Sequence, residues 1–347
     1  MNLKMLEEVS SVRAISSRER HMVEYLKQKL TNYKIDGLHC VIAWPEQEDA
    51  NLPKLMFCTH QDEVGFVVEE ICGRFLRLHP FGSIWPHLVV GDLCTLETSD
   101  GRVLTGVISS PSSHAMPEAD KKYTVKPDCI YLDLGIDADD VTKLGIKIGD
   151  MCCPKADYMP LANPKYVLNK AFDDRSGCYV GLEVLGQKLP HENNLYWAFS
   201  SQEEPGLRGA RTVTDMVRPD LAFALDATLA GDTPFDDNGV TLGGGVILCC
   251  IDSNTLPNRS LLKWVEGLCK KHNIKYQYSV FNRGGTDSGN IHKSLGGIVN
   301  MSLGIPARYM HCNHSVVNTD DLAACIELCS WIIKEFKANT LEEILKL

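Results

Sequence analysis

YWAFSSQEEPGLRGA, Tyr196 to Ala210, is the stretch from which the fold is read. The apolar run that enters it, residues 195–200, has strand character and stops at two adjacent carboxylates, Glu203 and Glu204. Pro205 and Gly206 break the chain, and a helical pattern follows. A strand that ends in charge and feeds a helix marks where open α/β sheets keep their sites, outside the carboxyl ends of strands. Neighbouring glutamates repel each other, so burying both there demands a cation or a proton. On an exposed loop the same pair would merely be solvated. The rest of the chain decides between these.

Working outward, the same punctuation recurs. Residues 52–59 form an apolar strand that ends in THQDEVG, with His60 and Asp62 two positions apart. A histidine presents one ring nitrogen to a metal only if the other is held, and a carboxylate such as Asp62 is suited to that. NKAFDDRSG, residues 169–177, places Asp173 and Asp174 before a helix over 176–189. A strand over 221–225 ends in Asp226, and PARYMH ends in His311. Further strands are read at 243–251, 276–281 and 298–303. Helices are read at 13–31 (Ser16 and Glu19 as a capping box), 207–217, 258–272 and 319–337. Strands alternating with helices imply a mostly parallel sheet sandwiched by helices, an α/β catalytic domain.

From about Phe66 to Leu161 the pattern changes to short β-like runs separated by turn signals such as Asp100-Gly101 and Gly149-Asp150, with a helix only at 137–144. This predicts an inserted β-rich barrel over 67–162, with the catalytic domain split into 1–66 and 163–347. SSPSSHAMPEADKKYT, residues 109–124, is expected to be an exposed loop.

The chain has 347 residues, a hydrophobic fraction of 44% and a net charge of -10, values of an ordinary globular protein with about two domains. The acidic balance, without a Lys/Arg cluster, argues against nucleic acid and against an anionic membrane. No apolar run reaches the ~20 residues of a membrane span, and the charged N-terminus has no leader-like core, so a cytoplasmic location is expected. The 14 cysteines are scattered through apolar runs without a CxxC pair, and are read as reduced, buried thiols.

Acidic or imidazole side chains thus recur at strand ends: His60, Asp173, Glu203, Glu204, Asp226 and His311. Two histidines and three carboxylates are a ligand set for two divalent ions bridged by a carboxylate. Oxygen and imidazole donors without thiolate suit Zn, Co or Mn. One glutamate is left over to act as general base.

Together, THQDEVG, NKAFDDRSG, SSQEEPGLRGA, FALDAT, GGTDSG and PARYMH resemble the dinuclear metalloaminopeptidases that assemble as tetrahedral dodecamers, of the glutamyl-aminopeptidase and deblocking-aminopeptidase type. The motifs fall in that family's order across nearly the whole chain. The resemblance implies a catalytic domain interrupted by a β-rich dimerisation domain, small peptides as substrate, and homo-oligomers built from dimers. It implies His60 and Asp226 at one metal, Glu204 and His311 at the other, and Asp173 bridging them with a cis peptide after it. Glu203 would be the general base, and Asp62 would orient His60. Asp174 is the alternative bridge, and His314 the alternative to His311, which the RYxH spacing prefers. Gln61 stands where the family usually has Met. Thr286 and Asp287 match a family motif without a physical role read from the residues. A dinuclear deacylase of N-acylated amino acids and a silent, metal-stabilised assembly protein are the competing functions. A glucanase, with two opposed carboxylates and no metal, does not match this ligand set.

Overall fold

In the computed structural model, which describes residues 1–234, 236–280 and 284–346, the strand Lys54–His60 lies between two parallel neighbours, Asn194–Ser200 and Leu221–Leu229. Val299–Arg308 extends the parallel set beyond Leu221–Leu229. Outside these strands the sheet is mixed. Val41–Ala43 pairs antiparallel on one flank and Ser315–Asn318 on the other, and the sheet counts 11 strands. Val246–Ile251 pairs with Val299–Arg308 and carries Tyr276–Val280. Phe281, expected at the end of that strand, and Arg283, expected at the start of RGGTDSG, lie outside the described residues.

The parallel strands are apolar throughout because both faces are covered. In Lys54–His60, Leu55 and Phe57 enter one core, and Met56 and Cys58 enter another. Leu221, Phe223 and Leu225 separate from Ala222 and Ala224 in the same way. The first core holds the large rings. Phe57 stacks on Trp197 at 4.7 Å between centroids and on Phe223 at 5.4 Å. Helices Leu3–Ser11, Phe172–Gly186 and Thr319–Glu335 close that side. The opposite face is lined by small side chains and takes the helix Arg208–Val217 through Ala210, Val213 and Val217.

The N-terminus differs from the expected helix over 13–31. Two helices form instead, Leu3–Ser11 and Arg20–Lys29. Between them Ser16 caps nothing; its hydroxyl donates to Asp62 Oδ2 at 2.5 Å, and Glu19 accepts from the amides of Ser17 and Gln202. The strand bearing Asp226 runs on to Leu229 rather than ending at the carboxylate, because its outer half pairs with Gly304–Ala307. Its pairing with Lys54–His60 stops at Ala224, so Asp226 still stands at the rim of the crevice.

Six strands close into a barrel in the order Gly65–Cys72, Phe75–Phe81, Tyr131–Asp133, Val103–Ser109, Leu93–Glu97 and Met151–Pro154. Phe66, Val68, Leu76, Leu96, Ile108 and Leu132 fill it. The short helix Ala138–Lys143 starts at Asp137, whose amide donates to the Asp140 carboxylate at 3.4 Å. The barrel strands lie within residues 65–154, while Met159–Pro160, inside the expected insert, pairs with Tyr166–Asn169 of the large sheet. No helix among the described residues is long and apolar enough to cross a membrane.

Phe57 is fully buried between two aromatic partners in the middle of the sheet. Phe57→Ala should therefore cost about 3–5 kcal/mol of stability, read as a lower urea midpoint at unchanged m-value.

Candidate active site

The strand register assembles the first part of the site. Ala224 lies opposite Cys58, so two residues on, Asp226 and His60 come level. His60 Nε2 is 3.6 Å from Asp226 Oδ1 and 3.1 Å from Asp173 Oδ1. Its other nitrogen, Nδ1, lies 3.1 Å from the main-chain carbonyl of Asp62 and 3.5 Å from that residue's carboxylate. The nearer holder of the ring is thus the carbonyl. The Asp62 carboxylate accepts the amides of Glu203 and Glu204 at 3.1 and 3.3 Å, besides the Ser16 hydroxyl. It ties the end of one strand to the loop after the next.

Asp173 stands between the two histidines. Its Oδ2 is 3.3 Å from His311 Nε2, while Oδ1 faces His60. The peptide bond to Asp174 is cis, and both aspartates leave helical geometry inside the segment Phe172–Gly186. Asp174 turns away, accepting the amides of His60 at 3.2 Å and Gly177 at 2.9 Å. Glu204 Oε2 lies 3.8 Å from His311 Nδ1. Two donor groups result, His60–Asp173–Asp226 and Asp173–Glu204–His311, in each of which the donor atoms lie within 4.8 Å of one another. Glu203 belongs to neither group; its Oε2 is 4.0 Å from His60 Nε2.

His314 is elsewhere. It is 48% exposed and faces Asp92 of the barrel at 3.9 Å. Between the two histidines, Asn313 donates to the carbonyl of Leu93 at 2.7 Å, which pins this loop to the barrel. The barrel also forms one wall of the crevice. Gly82 has φ +76°, and a Cβ there would stand 2.9 Å from Glu204 Oε2.

Electrostatics mark the site as short of positive charge. Burial pushes the Glu203 carboxyl well above its ordinary range, helped by Asp226 and Asp287. Burial and the nearby Asp173 hold Glu204 at about 8, and burial holds Asp226 at about 6. Burial would lower the pKa of His311, yet Glu204 and Asp173 raise it to about 9. Among the described residues, no Lys or Arg forms an ion pair with Asp173, Glu203, Glu204 or Asp226. Glu204 Oε1 and His311 Nδ1 are buried without a hydrogen-bond partner among the described residues. Carboxylate and imidazole donors, left over and lacking a cation, fit divalent metal.

The chain matches the M42 glutamyl aminopeptidase family over residues 40–328. It belongs to that family. The glutamyl aminopeptidase of Lactococcus lactis subsp. cremoris is 30% identical over 348 aligned residues, covering 97% of each chain. The TET aminopeptidase of the marine sediment archaeon Thaumarchaeota archaeon SCGC AB-539-E09 superposes with a TM-score of 0.93 at 28% identity, covering 99% of this chain and 98% of that one. The TET1 peptidase of Pyrococcus horikoshii, described as assembling into a tetrahedron or a large octahedral shell, superposes at 0.86 with 26% identity over 96% and 99%. This M42 chain is accordingly a hydrolase of peptide bonds with aminopeptidase function.

Several residues around the M42 site had no functional role in the sequence reading. Gln61, where Met was expected, donates to the His39 carbonyl and the Ser201 hydroxyl, both at 2.7 Å. Thr286 meets Ser302 at 2.7 Å. Asp287 is buried beneath the site and accepts from Ser200 and Cys58. Ser16 and Glu19 are bonded to the loops of Asp62 and Gln202; a capping-box pattern with no helix beginning at its second residue would have been the signal.

Glu19 supplies a pH test. Burial, with Asp62 close by, raises its pKa from 4.5 to about 7. Between those values the folded state holds a proton that the unfolded state has lost. This contribution to stability is complete below pH 4.5 and disappears as the pH rises through about 7. Glu19→Gln should flatten that slope, measured by urea unfolding of metal-free protein across this range.

Proposed function

We propose that this chain is a two-metal aminopeptidase that removes N-terminal residues from small peptides, with Glu203 as general base. The observation that supports it best is the Asp173 carboxylate, which offers one oxygen to each of the two histidine-containing donor groups. His60 and Asp226 would hold one ion, Glu204 and His311 the other, and Asp173 both. Zn, Co and Mn all suit these donors. When bound, the ions would polarise the scissile carbonyl and make water a nucleophile near neutral pH. The chain's own groups do the rest. Glu203, which joins neither donor group and stands 4.0 Å from His60 Nε2, takes the proton from the attacking water and delivers it to the leaving amine. The main-chain carbonyl of Asp62 fixes the His60 ring. The likeness to aminopeptidases supports this reading over the deacylase.

The barrel is the proposed subunit-contact domain. Phe75, Trp85, Leu88, Val103 and Ile148 are large apolar side chains of this region that stand exposed, and burying them between subunits would remove apolar area from water. The likeness to the Pyrococcus horikoshii TET1 peptidase supports a homo-oligomer. All 14 cysteines are free thiols, which suits the cytoplasm.

Glu203→Gln should keep two metals per chain while turnover of aminoacyl anilides falls roughly 100- to 10,000-fold; Glu204→Gln should lose metal instead. Equal metal content with activity retained in both variants would refute the roles given to them.

The histidines provide a second test. His311→Ala should bind about one Zn per chain in calorimetric titration and be inactive, since the other group keeps His60, Asp226 and Asp173. His314→Ala should bind two and keep most activity. The reverse pattern would move the ligand to His314.

A further inference from the structure

Beside the site, and outside both donor groups, lies a cluster of buried charge that the proposed chemistry does not use. Glu63, Lys170 and Arg175 are 1%, 3% and 0% exposed. Lys170 Nζ donates to Glu63 Oε1 and Oε2 at 2.6 and 2.7 Å, and to the Val12 carbonyl at 3.1 Å. Arg175 spreads its guanidinium over three main-chain carbonyls. Nη1 reaches Val9 and Val12, each at 3.0 Å, and Nη2 reaches Ala14 at 3.2 Å, with Glu63 at 3.7 Å. Glu63 Oε1 in turn accepts the Ala14 amide at 3.0 Å, and the Glu63 amide donates to the Ala14 carbonyl at 3.0 Å.

The position of these residues in the chain is what makes the cluster informative. Glu63 follows His60 by three residues, while Lys170 and Arg175 flank Asp173. The ion pair therefore joins the loop of one ligand residue to the loop of the next, across a sequence gap filled by the barrel. The third side of the cluster is the stretch Val9–Ala14, which includes the end of the helix Leu3–Ser11. Carbonyls at a helix C-terminus carry partial negative charge and favour cations. Two residues past Ala14, Ser16 donates to Asp62. The first helix is thus wired to the ligand loops at both the charge cluster and Asp62.

We propose that Glu63, Lys170 and Arg175 are positioning residues that lock the His60 and Asp173 loops together on the N-terminal segment, so that tight metal binding depends on residues 9–16. The proposal rests on the two-metal reading above. Buried ion pairs contribute little net stability compared with apolar replacements, whereas breaking one partner leaves an uncompensated charge. The cluster's value is then the geometry it fixes, as for outer-shell groups whose loss weakens metal binding roughly 10- to 100-fold.

The test compares Glu63→Gln, the pair-neutralising double variant Glu63→Gln/Lys170→Met, and Arg175→Lys in the full chain. The readouts are Zn affinity by chelator competition, thermal unfolding of the metal-free protein, and amide exchange over residues 9–16. Asp173→Asn serves as control for the ligand assignment. The double variant should melt close to the parent yet bind Zn at least about tenfold more weakly, with faster exchange over 9–16. Arg175→Lys keeps the charge but not the three-carbonyl fork, and should show the same weakening; it decides the matter if the Glu63 variants do not fold. Parent-like Zn affinity in the double variant or in Arg175→Lys, with Asp173→Asn impaired, overturns the lock alone. Parent-like affinity in Asp173→Asn overturns the two-metal reading beneath it.

Discussion

The Asp173 carboxylate points one oxygen at each of two histidines, and around it Glu203, Glu204 and Asp226 are all buried or nearly so. Like charges this close raise one another's pKa, and the surrounding protein supplies no Lys or Arg among the described residues to relieve them. The buried cations Lys170 and Arg175 are already taken, by Glu63 and by the carbonyls of Val9, Val12 and Ala14. Protons on these carboxyls and on the two histidines offset part of the charge, and a cation from outside the chain would offset the rest. The architecture can be read as a means of keeping this deficit in place.

The sheet does so through register. Parallel strands end together, so groups at their carboxyl ends meet without long loops. His60 and Asp226 come level because Cys58 and Ala224 are paired. Where strand geometry runs out, main-chain hydrogen bonds take over. Asp62 holds the amides of Glu203 and Glu204, and Asp174 holds those of His60 and Gly177. The adjacent acids Asp173 and Asp174 thus do different work: the first is offered to the crevice, and its neighbour supports the loop that offers it.

The α/β class, the inserted barrel and the family were legible because each rests on pattern or on motif. Strands buried on both faces read as continuous apolar runs, and the barrel announced itself by turn residues at short intervals. The strand-end positions of His60, Asp173, Glu203, Glu204, Asp226 and His311 were visible for the same reason, and the structure gathers these residues in one crevice. What stayed hidden depends on partners distant in sequence. Ser16 and Glu19 look like a helix cap until Asp62 and Gln202 are seen beside them. Leu3–Ser11 passed unread as a helix, although Leu6 and Val9 supply its buried face. Lys170 and Arg175, two cations flanking two acids, were in plain view, but their partner Glu63 lies across the barrel. The strand continuing past Asp226 is likewise decided by Val299–Arg308, which no local window contains.

The closed barrel has one more consequence, for folding. It is inserted between His60 and Asp173, so the α/β domain must close a long chain segment before these two side chains meet. A flexible loop of about 90 residues would oppose that closure by about 4 kcal/mol of entropy. The barrel's first and last strands are paired neighbours, Phe66 opposite Cys152 and Val67 opposite Met151. Once folded, the insert returns the chain almost to where it left, and the catalytic domain experiences it as a short connection. A structure that lengthens the sequence by a whole unit thereby leaves the effective contact distance between the loops of His60 and Asp173 nearly unchanged.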